Sequence, residues 1–127
     1  MKNILVVDDE IMNQEVIKKI LNKEGYNVLT ADNGQDAIDR LKQHKIDLIL
    51  MDLMMPVMDG FEAIEIISKN HIVPIIAITA LDDNKTHQKV LKLGAVSCIT
   101  KPFELKELVH SVKSIIYTTK QTSSIQT

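Results

Sequence analysis

The stretch Ile4-Leu5-Val6-Val7-Asp8-Asp9-Glu10 joins four apolar residues directly to three acidic ones. A second apolar run, Leu48 to Met51, ends in the same way at Asp52. Unbroken apolar runs are typical of strands buried on both faces of a parallel sheet. If the two strands are neighbours, their acids meet at one edge of that sheet. Carboxylates so close together repel each other unless a divalent cation lies among them.

Five short apolar runs alternate with five stretches of helical periodicity along the 127 residues. This alternation predicts an α/β fold with three layers, in which a doubly wound, five-stranded parallel sheet carries helices on both faces. We expect the functional site at the carboxyl ends of the strands, where doubly wound folds bind their ligands. The predicted strands are Asn3 to Asp8, Asn27 to Ala31, Asp47 to Met51, Pro74 to Thr79 and Val96 to Thr100.

Capping residues and apolar periodicity place the helices. Asn33 and Asp59 are candidate N-caps of the second and third helices, and Gly25 is expected to end the first in a left-handed conformation. The fourth helical stretch, 82–93, is almost wholly polar, so we expect it to be mobile. The fifth is amphipathic. The apolar face of the first helix is predicted to comprise Met12, Val16, Ile17, Ile20 and Leu21.

Composition limits the possible functions. The net charge is −2 and no run of Lys or Arg occurs, so direct nucleic-acid binding is disfavoured. No apolar run approaches the roughly 18 residues of a membrane span. We expect a cytoplasmic protein with one domain at 1–119, and a polar tail at 120–127 that is either disordered or a truncated linker. The four histidines are expected to face solvent, and the single Cys98 to pack as a small apolar residue.

The predicted strand ends place a set of polar residues at one edge of the sheet. Asp8 and Asp9 follow the first strand, Asp52 the third, Thr79 ends the fourth, and Lys101 follows the fifth. Each has an ordinary structural explanation when it is taken alone. Together, carboxylates, a hydroxyl and an ammonium are what a Mg²⁺-assisted phosphoryl transfer to oxygen needs.

The motifs at these ends resemble the receiver domain of two-component response regulators, including the chemotaxis receivers. They are Val6-Val7-Asp8-Asp9-Glu10, Met51 to Gly60, Thr79-Ala80 and Lys101-Pro102-Phe103, and the similarity covers about residues 3 to 117. The resemblance implies a flavodoxin-like fold with strand order 2-1-3-4-5. It also implies that a phosphohistidine donor phosphorylates Asp52, and that the domain signals by changing conformation rather than by turning over a metabolite.

The resemblance also implies a metal site. Asp9 would bind Mg²⁺ directly, Asp8 mostly through water, and the Asp52 carboxylate and the backbone carbonyl of Met54 would complete the protein's ligands. Asp52 would be the nucleophile.

The remaining roles implied by the resemblance concern switching. Lys101 would pair with Asp52 at rest and with a phosphoryl oxygen afterwards, and the Lys101–Pro102 bond would be cis. Thr79 would turn its hydroxyl onto the phosphoryl group, while the small Ala80 leaves the approach to Asp52 open. Gly60 would allow a tight turn after Asp52.

The chain departs from the family pattern at three positions. Many receivers carry an aromatic residue three positions before the lysine, where this chain has Cys98, so the usual aromatic reporter of switching is absent. The positions two after Asp52 and two after Thr79 are Met54 and Leu81, both apolar. Polar groups there help to orient the hydrolytic water in other receivers, so we expect slow self-dephosphorylation.

Two alternatives remain at this point. A metal-dependent aspartyl-phosphate phosphohydrolase of the haloacid dehalogenase kind would need an Asp two residues after the nucleophile, but Leu53 and Met54 follow Asp52. A nucleotide or flavin binder would need a phosphate-binding loop after the first strand, where three acids stand instead. The expected partners are a sensor histidine kinase or phosphotransfer protein and a downstream protein target. The expected state is a monomer or weak dimer.

Overall fold

The fold is a five-stranded parallel sheet covered by helices. The structure is a computed structural model that describes the backbone of residues 1–126 and the side chains of residues 1–118. The strands lie in the order β2-β1-β3-β4-β5, which confirms the predicted topology. Their bounds are β1 Asn3–Val7, β2 Asn27–Ala31, β3 Leu48–Asp52, β4 Ile75–Thr79 and β5 Ser97–Thr100.

The predicted strands agree with these bounds to within one residue. β3 is the informative difference, because it includes Asp52 as its last residue instead of ending at Met51. Asp52 is therefore held by the sheet itself, paired in register with Ile78 of β4. β1 ends at Val7, so Asp8 lies just beyond it, although the Asp8 N–H still donates to the carbonyl of Ala31, 3.1 Å away.

Five helices connect and follow the strands. Asn33 accepts a hydrogen bond from the N–H of Asp36, and Asp59 accepts one from the N–H of Glu62, so both predicted N-caps are confirmed. Gly25 follows the first helix with φ +95°, as expected for a left-handed end. The helices are α1 Ile11–Lys23, α2 Gly34–Gln43, α3 Gly60–Asn70, α4 Asn84–Leu93 and α5 Leu105–Gln126.

Two apolar cores lie on opposite faces of the sheet. One packs α2, α3 and α4 against strand residues such as Leu5, Ile49 and Ile75. The other packs α1 and α5 against the alternate residues, such as Ile4 and Leu50. Both faces of β1, β3 and β4 are thus buried, which explains their continuous apolar sequences. In the part of the chain that the structure describes, no helix is long and apolar enough to span a membrane.

The apolar face predicted for α1 is partly wrong. The buried residues of this helix are Gln14, Ile17 and Leu21. Met12 is 79% exposed and Val16 is 50% exposed, so these two lie beside the buried stripe rather than within it. Residues spaced three and then four positions apart lie on the same face of a helix, and in α1 that face includes a polar glutamine. Periodicity of apolar residues alone therefore misplaced the centre of the stripe.

The α5 backbone extends further than its apolar pattern. The predicted amphipathic segment is confirmed at Leu108 and Val112, which are fully buried. The helix continues through Gln126, across the stretch after Tyr117 where no apolar face was found. Thr127 lies outside the described residues, and the division at 119/120 stays a prediction.

Helix α4 is held by few contacts. Its one buried residue is Val90, as its polar sequence suggests, and Asp83 caps its first turn. The expectation that all histidines face solvent is wrong for His71, the half-buried C-cap residue of α3, and for His87 of α4. His87 is half-buried, and its Nε2 lies 3.1 Å from the hydroxyl of Thr100 in β5. The predicted mobility of this helix stays a prediction.

The β3–α3 loop contains a strained residue. Val57 has φ +69°, and it is the one non-glycine residue in the left-handed region within residues 1–126. A β-branched side chain in that region costs about 1–2 kcal/mol. Val57 is also 83% exposed, so its side chain gains little from packing.

Replacing Val57 by a residue that tolerates the left-handed region should stabilise the protein. We expect Val57→Asn to raise the free energy of unfolding by about 1 kcal/mol in chemical denaturation. Val96→Asn is the matched control, because Val96 is also exposed but has no left-handed φ. An equal or larger gain in the control would show that polarity, and not backbone strain, is responsible.

Candidate functional site

The sheet directs the predicted site residues to one edge. Val6 and Leu50 point into the core beneath α1 and α5. Because side chains alternate along a strand, Asp8 and Asp52, each two residues further on, face the same side at the carboxyl ends. Pairing of Val7 with Met51 aligns these two strand ends. The two acids therefore become neighbours although 44 positions separate them in the sequence.

Three carboxylates converge at this edge. Oxygen atoms of Asp8, Asp9 and Asp52 all lie within 4.8 Å of one another. Asp8 and Asp52 are buried, with 3% and 8% exposure, whereas Asp9 is exposed. At about 4 Å and an effective dielectric near 20, each pair of like charges costs roughly 4 kcal/mol. The cluster therefore needs a positive charge nearby.

Lys101 supplies part of that charge. Its ammonium nitrogen lies 3.5 Å from Oδ1 of Asp52 and 3.8 Å from Oδ2 of Asp8. The lysine follows β5, and the Lys101–Pro102 peptide bond is cis, as the sequence motif implied. The N–H of Lys101 donates to the carbonyl of Thr79 at 2.7 Å, so its backbone is tied to the end of β4. The pairing of Lys101 with Asp52 expected for the resting protein is present.

Asp52 has an unusual acidity. Its carboxyl has a pKa raised from 3.8 to about 6, mainly because burial disfavours the charged form; Lys101 lowers the pKa, and the charges of Asp8 and Asp9 raise it. Carboxyl groups with shifted pKa values are common at functional sites. A carboxyl with a pKa near 6 is mostly ionised at neutral pH, so it can act as an oxygen nucleophile or a metal ligand.

The donor set of this site fits a hard divalent cation. All the converging groups are carboxylates, and Mg²⁺ prefers oxygen ligands and commonly uses one or two carboxylates together with water. Because Asp9 is exposed, water has access to this part of the cluster. Such a cation would offset the repulsion that Lys101 alone cannot balance, since three formal negative charges face one positive charge.

Thr79 lies beside the acids but is engaged elsewhere. It is 1% exposed, and its hydroxyl accepts a hydrogen bond from the N–H of Leu81 at 3.0 Å. In register, Thr79 pairs with Thr100, the neighbour of Lys101. Thr79 is therefore next to the strand that leads to Lys101, and its hydroxyl oxygen is engaged as the acceptor of a local hydrogen bond.

The residues that depart from the family pattern surround the site. Met54 is 66% exposed and Leu81 is 43% exposed, so both side chains lie at the open surface of the edge. The binding role predicted for the Met54 carbonyl stays a prediction. Cys98 is a free, half-buried thiol packed against the core, and burial raises its pKa. These observations favour the packing role proposed for Cys98.

Gly60 closes the loop after Asp52. It is the first residue of α3, and its N–H donates to the carbonyl of Leu53 at 2.9 Å. A Cβ atom at this position would clash with the backbone carbonyl of Asp52 and approach the Cα atom of Leu53 to 2.7 Å. Only glycine permits this close approach, so the tight turn expected at Gly60 is confirmed in a specific form.

Sequence reasoning missed one polar residue near the site. Gln14 is 5% exposed, and its side-chain nitrogen lies 2.6 Å from the carbonyl oxygen of Asp8. The sequence did contain a signal that Gln14 is buried. Gln14 lies three residues before Ile17 and seven before Leu21, on the buried face of α1. A polar residue at an apolar position indicates a buried hydrogen bond.

A cavity opens from the acids toward α1 and α5. Its volume is about 470 Å³, and its lining includes Asp8, Asp52 and Lys101. The rest of the lining is mostly apolar and includes Val16 and Phe103. Asp52 therefore borders a cavity that combines charged and apolar side chains.

The fold and the site define a doubly wound α/β domain with an acidic cluster and a paired lysine at its strand ends. The family model described as "Response regulator receiver domain" matches residues 4–113. The chain therefore belongs to the response regulator receiver domain family.

Known proteins are similar in sequence and in structure. Response regulator RR06 of Streptococcus pneumoniae is 42% identical over 114 residues, which are 90% of this chain and 52% of that protein. The chain thus spans about half the length of this relative. The Francisella response regulator 1452 receiver domain is 31% identical with a TM-score of 0.90, over 94% of this chain and 99% of that one. Vibrio cholerae chemotaxis protein CheY4 is 30% identical with a TM-score of 0.84, over 91% and 98%.

The raised pKa of Asp52 predicts how stability depends on pH. The folded protein binds the Asp52 proton more tightly than the unfolded chain, so its stability falls as the pH rises from about 3.8 to about 6. Two pKa units correspond to at most about 3 kcal/mol, and solvent at the open edge reduces this to about 1–2 kcal/mol.

Denaturation at several pH values, with EDTA present, measures this effect. Other carboxylates titrate in the same range, so the relevant quantity is the difference between wild type and Asp52→Asn. We expect the mutant's stability advantage to grow across this window, because the amide carries no charge at any pH. A difference that is independent of pH would contradict the assignment.

Proposed function

We propose that this domain accepts a phosphoryl group on Asp52 from a phosphohistidine donor, with Mg²⁺ bound, and that the modification changes the conformation presented to a partner protein. The observation that carries the proposal is the position of Asp52. Its carboxylate lies at the end of β3, beside two further acids and 3.5 Å from the Lys101 ammonium. This arrangement offers a nucleophile together with groups that balance the charge of a transferred phosphoryl group.

The chemistry begins at a carboxylate oxygen of Asp52. A new P–O bond forms as the P–N bond to the donor imidazole breaks, and the imidazole nitrogen leaves with the electron pair. Lys101 can move its pairing from the carboxylate to a phosphoryl oxygen, since it already lies within 4 Å of both Asp8 and Asp52. Its role is electrostatic, because the ammonium offsets negative charge that would otherwise repel the donor.

Asp8, Asp9, Asp52 and the carbonyl of Met54 are the proposed ligands of Mg²⁺. When bound, the ion supplies charge neutralisation at the carboxylates and the incoming phosphoryl oxygens. Asp9 is assigned the direct contact because it is exposed. Asp8 is assigned a contact through water because its carboxylate is buried and engaged with Lys101 and with the N–H of Glu10.

Thr79 is the proposed switch. Its hydroxyl oxygen accepts a hydrogen bond from the N–H of Leu81, whereas the hydroxyl hydrogen can be donated to a charged acceptor such as a phosphoryl oxygen, which forms a stronger hydrogen bond than a neutral acceptor. If the hydroxyl turns to donate to the phosphoryl group, the Leu81 N–H loses its partner and the β4–α4 loop changes. Phosphorylation then shifts a balance between two conformations, which is how such modifications signal.

The proposed donor is a sensor histidine kinase or a phosphotransfer protein. It would approach on the side of α1 and the start of α5, where several apolar side chains are exposed and Leu105 lines the cavity that Asp52 borders. Ile11 is 67% exposed, Met12 79% and Leu105 41%, an apolar surface typical of protein contact. The downstream protein target, the cytoplasmic location and the monomeric or weakly dimeric state stay predictions.

The phosphohydrolase alternative is not favoured. Its acid/base residue would stand two positions after the nucleophile, where this chain has Met54, with a side chain that is 66% exposed and cannot transfer a proton. A signalling domain that assists its own phosphorylation and dephosphorylation accounts for the same acidic site without that residue.

Intact-mass measurement after incubation with acetyl phosphate and Mg²⁺ tests the proposal. We expect a gain of about 80 Da, the mass of one phosphoryl group, in wild type but not in Asp52→Asn, because the amide cannot act as the nucleophile. EDTA should abolish the gain.

Asp82→Asn is the matched control, because Asp82 is an exposed acid outside the cluster. This variant should label like wild type. Labelling that persists in Asp52→Asn would place the acceptor elsewhere, and labelling that survives EDTA would remove Mg²⁺ from the proposal.

The apolar residues at the edge predict a long-lived phosphoprotein. Neither Met54 nor Leu81 can orient a water molecule for attack on phospho-Asp52, so we expect Met54→Asn and Leu81→Glu each to shorten its lifetime, by about tenfold when combined. The decay of the mass-shifted species after removal of the donor measures this. Val57→Asn, in the same loop but not at either position, is the control. Equal lifetimes in all variants would show that these positions do not govern hydrolysis.

A further inference from the structure

Gln14 makes three polar contacts from a buried position on α1. Its side-chain nitrogen lies 2.6 Å from the carbonyl oxygen of Asp8, 2.8 Å from Oδ1 of Asp32 and 3.3 Å from the carbonyl oxygen of Ala31. The side chain is almost fully enclosed, with 5% exposure. An amide nitrogen carries two hydrogens, and both are directed at these acceptors. The glutamine thus joins α1 to the ends of β1 and β2.

The carbonyl that Gln14 contacts belongs to the peptide unit between the two metal-site acids. The Asp8 C=O and the Asp9 N–H share one rigid plane, so a bond that fixes the oxygen also fixes the orientation of the Asp9 backbone. The preceding N–H, that of Asp8, donates to Ala31, and the Asp8 carboxylate accepts from the N–H of Glu10 at 2.9 Å. Asp8 is therefore restrained from both sides.

Asp9 has no comparable restraint of its own. Its side chain is exposed, and among the side chains described for residues 1–118 none forms a hydrogen bond or ion pair with its carboxylate. The direction of this carboxylate then depends on the backbone that carries it. That backbone is set on the Asp8 side by Gln14.

We propose that Gln14 is a positioning residue for the metal site, which holds the Asp8–Asp9 peptide in the orientation that directs the Asp9 carboxylate toward the cation. The inference rests on the proposed Mg²⁺ site. Gln14 does not touch the ion; it acts through a backbone oxygen. Outer-shell partners of this kind typically change metal affinity 10-fold to 100-fold when they are removed.

The contact with Asp32 explains why the residue is an amide. Asp32, in the β2–α2 loop, accepts one hydrogen of Gln14 and so orients the other toward the Asp8 carbonyl. A carboxylate at position 14 would face Asp32 and two carbonyl oxygens with no hydrogen to donate. An aliphatic side chain of the same size would fill the space but leave the Asp8 oxygen without this donor.

The test is the affinity of the purified chain for Mg²⁺, measured by isothermal titration calorimetry in wild type and Gln14→Met. The substitution preserves length and net charge but removes the donor, so a change in affinity cannot come from altered charge. We expect the Kd for Mg²⁺ to rise about 10-fold. In the metal-free proteins, we also expect the ¹⁵N resonance of the Asp9 amide to shift, because that nitrogen shares the peptide unit with the Asp8 carbonyl.

Two control variants separate positioning from other effects. Ile20→Ala removes partly buried side-chain volume from the same helix without touching the Asp8 loop, so it should leave the Kd unchanged even if the protein is less stable. Asp32→Asn removes a charge but keeps an acceptor for Gln14, so its Kd should change by no more than about twofold, because exposed charges are screened. Gln14→Asn, whose amide is one methylene too short to reach, should behave like Gln14→Met and provides a second variant if the latter does not fold.

The outcomes distinguish this inference from the proposed function. If wild type binds no Mg²⁺, the metal site itself is wrong and the role of Gln14 falls with it. If wild type binds Mg²⁺ and both Gln14 variants bind it equally well, only the role of Gln14 is overturned. A Kd that rises as much in Ile20→Ala as in Gln14→Met would also overturn it, because the loss would then follow general destabilisation.

Discussion

The structure depends on confining three carboxylates at one edge of the sheet. Asp8, Asp9 and Asp52 have oxygen atoms within 4.8 Å of one another, and like charges at such distances repel each other. Lys101 offsets part of this repulsion, and the pKa of Asp52 is raised because burial, together with the charges of Asp8 and Asp9, outweighs the effect of Lys101. The site is thus destabilised until a cation or a proton arrives. Such stored repulsion is typical of functional sites, where binding is favoured because it relieves the repulsion.

The rest of the fold can be understood as the means of holding these charges in place. β1 and β3 are buried on both faces, so their ends cannot move apart without exposing core. Gly60 lets α3 start directly against the end of β3, and the backbone of Lys101 is bonded to Thr79 of β4. The side chain of Gln14 in α1 donates a hydrogen bond to the carbonyl of Asp8, just after β1. Five elements, β1, β3, β4, α1 and α3, thus restrain carboxylates that repel each other.

The sequence predicted what depends on local patterns. Apolar runs located the strands to within one residue, and the caps at Asn33 and Asp59 were recognisable because capping involves residues three apart. The missed features involve groups distant in sequence: the bond of His87 to Thr100, and the contacts of Gln14 with Ala31 and Asp32. Tertiary packing also decided which face of α1 is buried. Apolar residues such as Met12 were left outside because the buried stripe is centred on Gln14 and Ile17.

The contacts around Thr79 suggest how a change at the site would reach the surface without an aromatic reporter. Thr79 pairs in register with Thr100, and Thr100 contacts His87 of α4, whose one buried residue is Val90. The contact of His87 with Thr100 and the burial of Val90 both join α4 to the rest of the domain. The threonines therefore connect the end of β4 to α4 through β5. Cys98 packs against the core at the position where many receivers have an aromatic residue. A change at the site would therefore reach α4 through the contacts of Thr79 and Thr100.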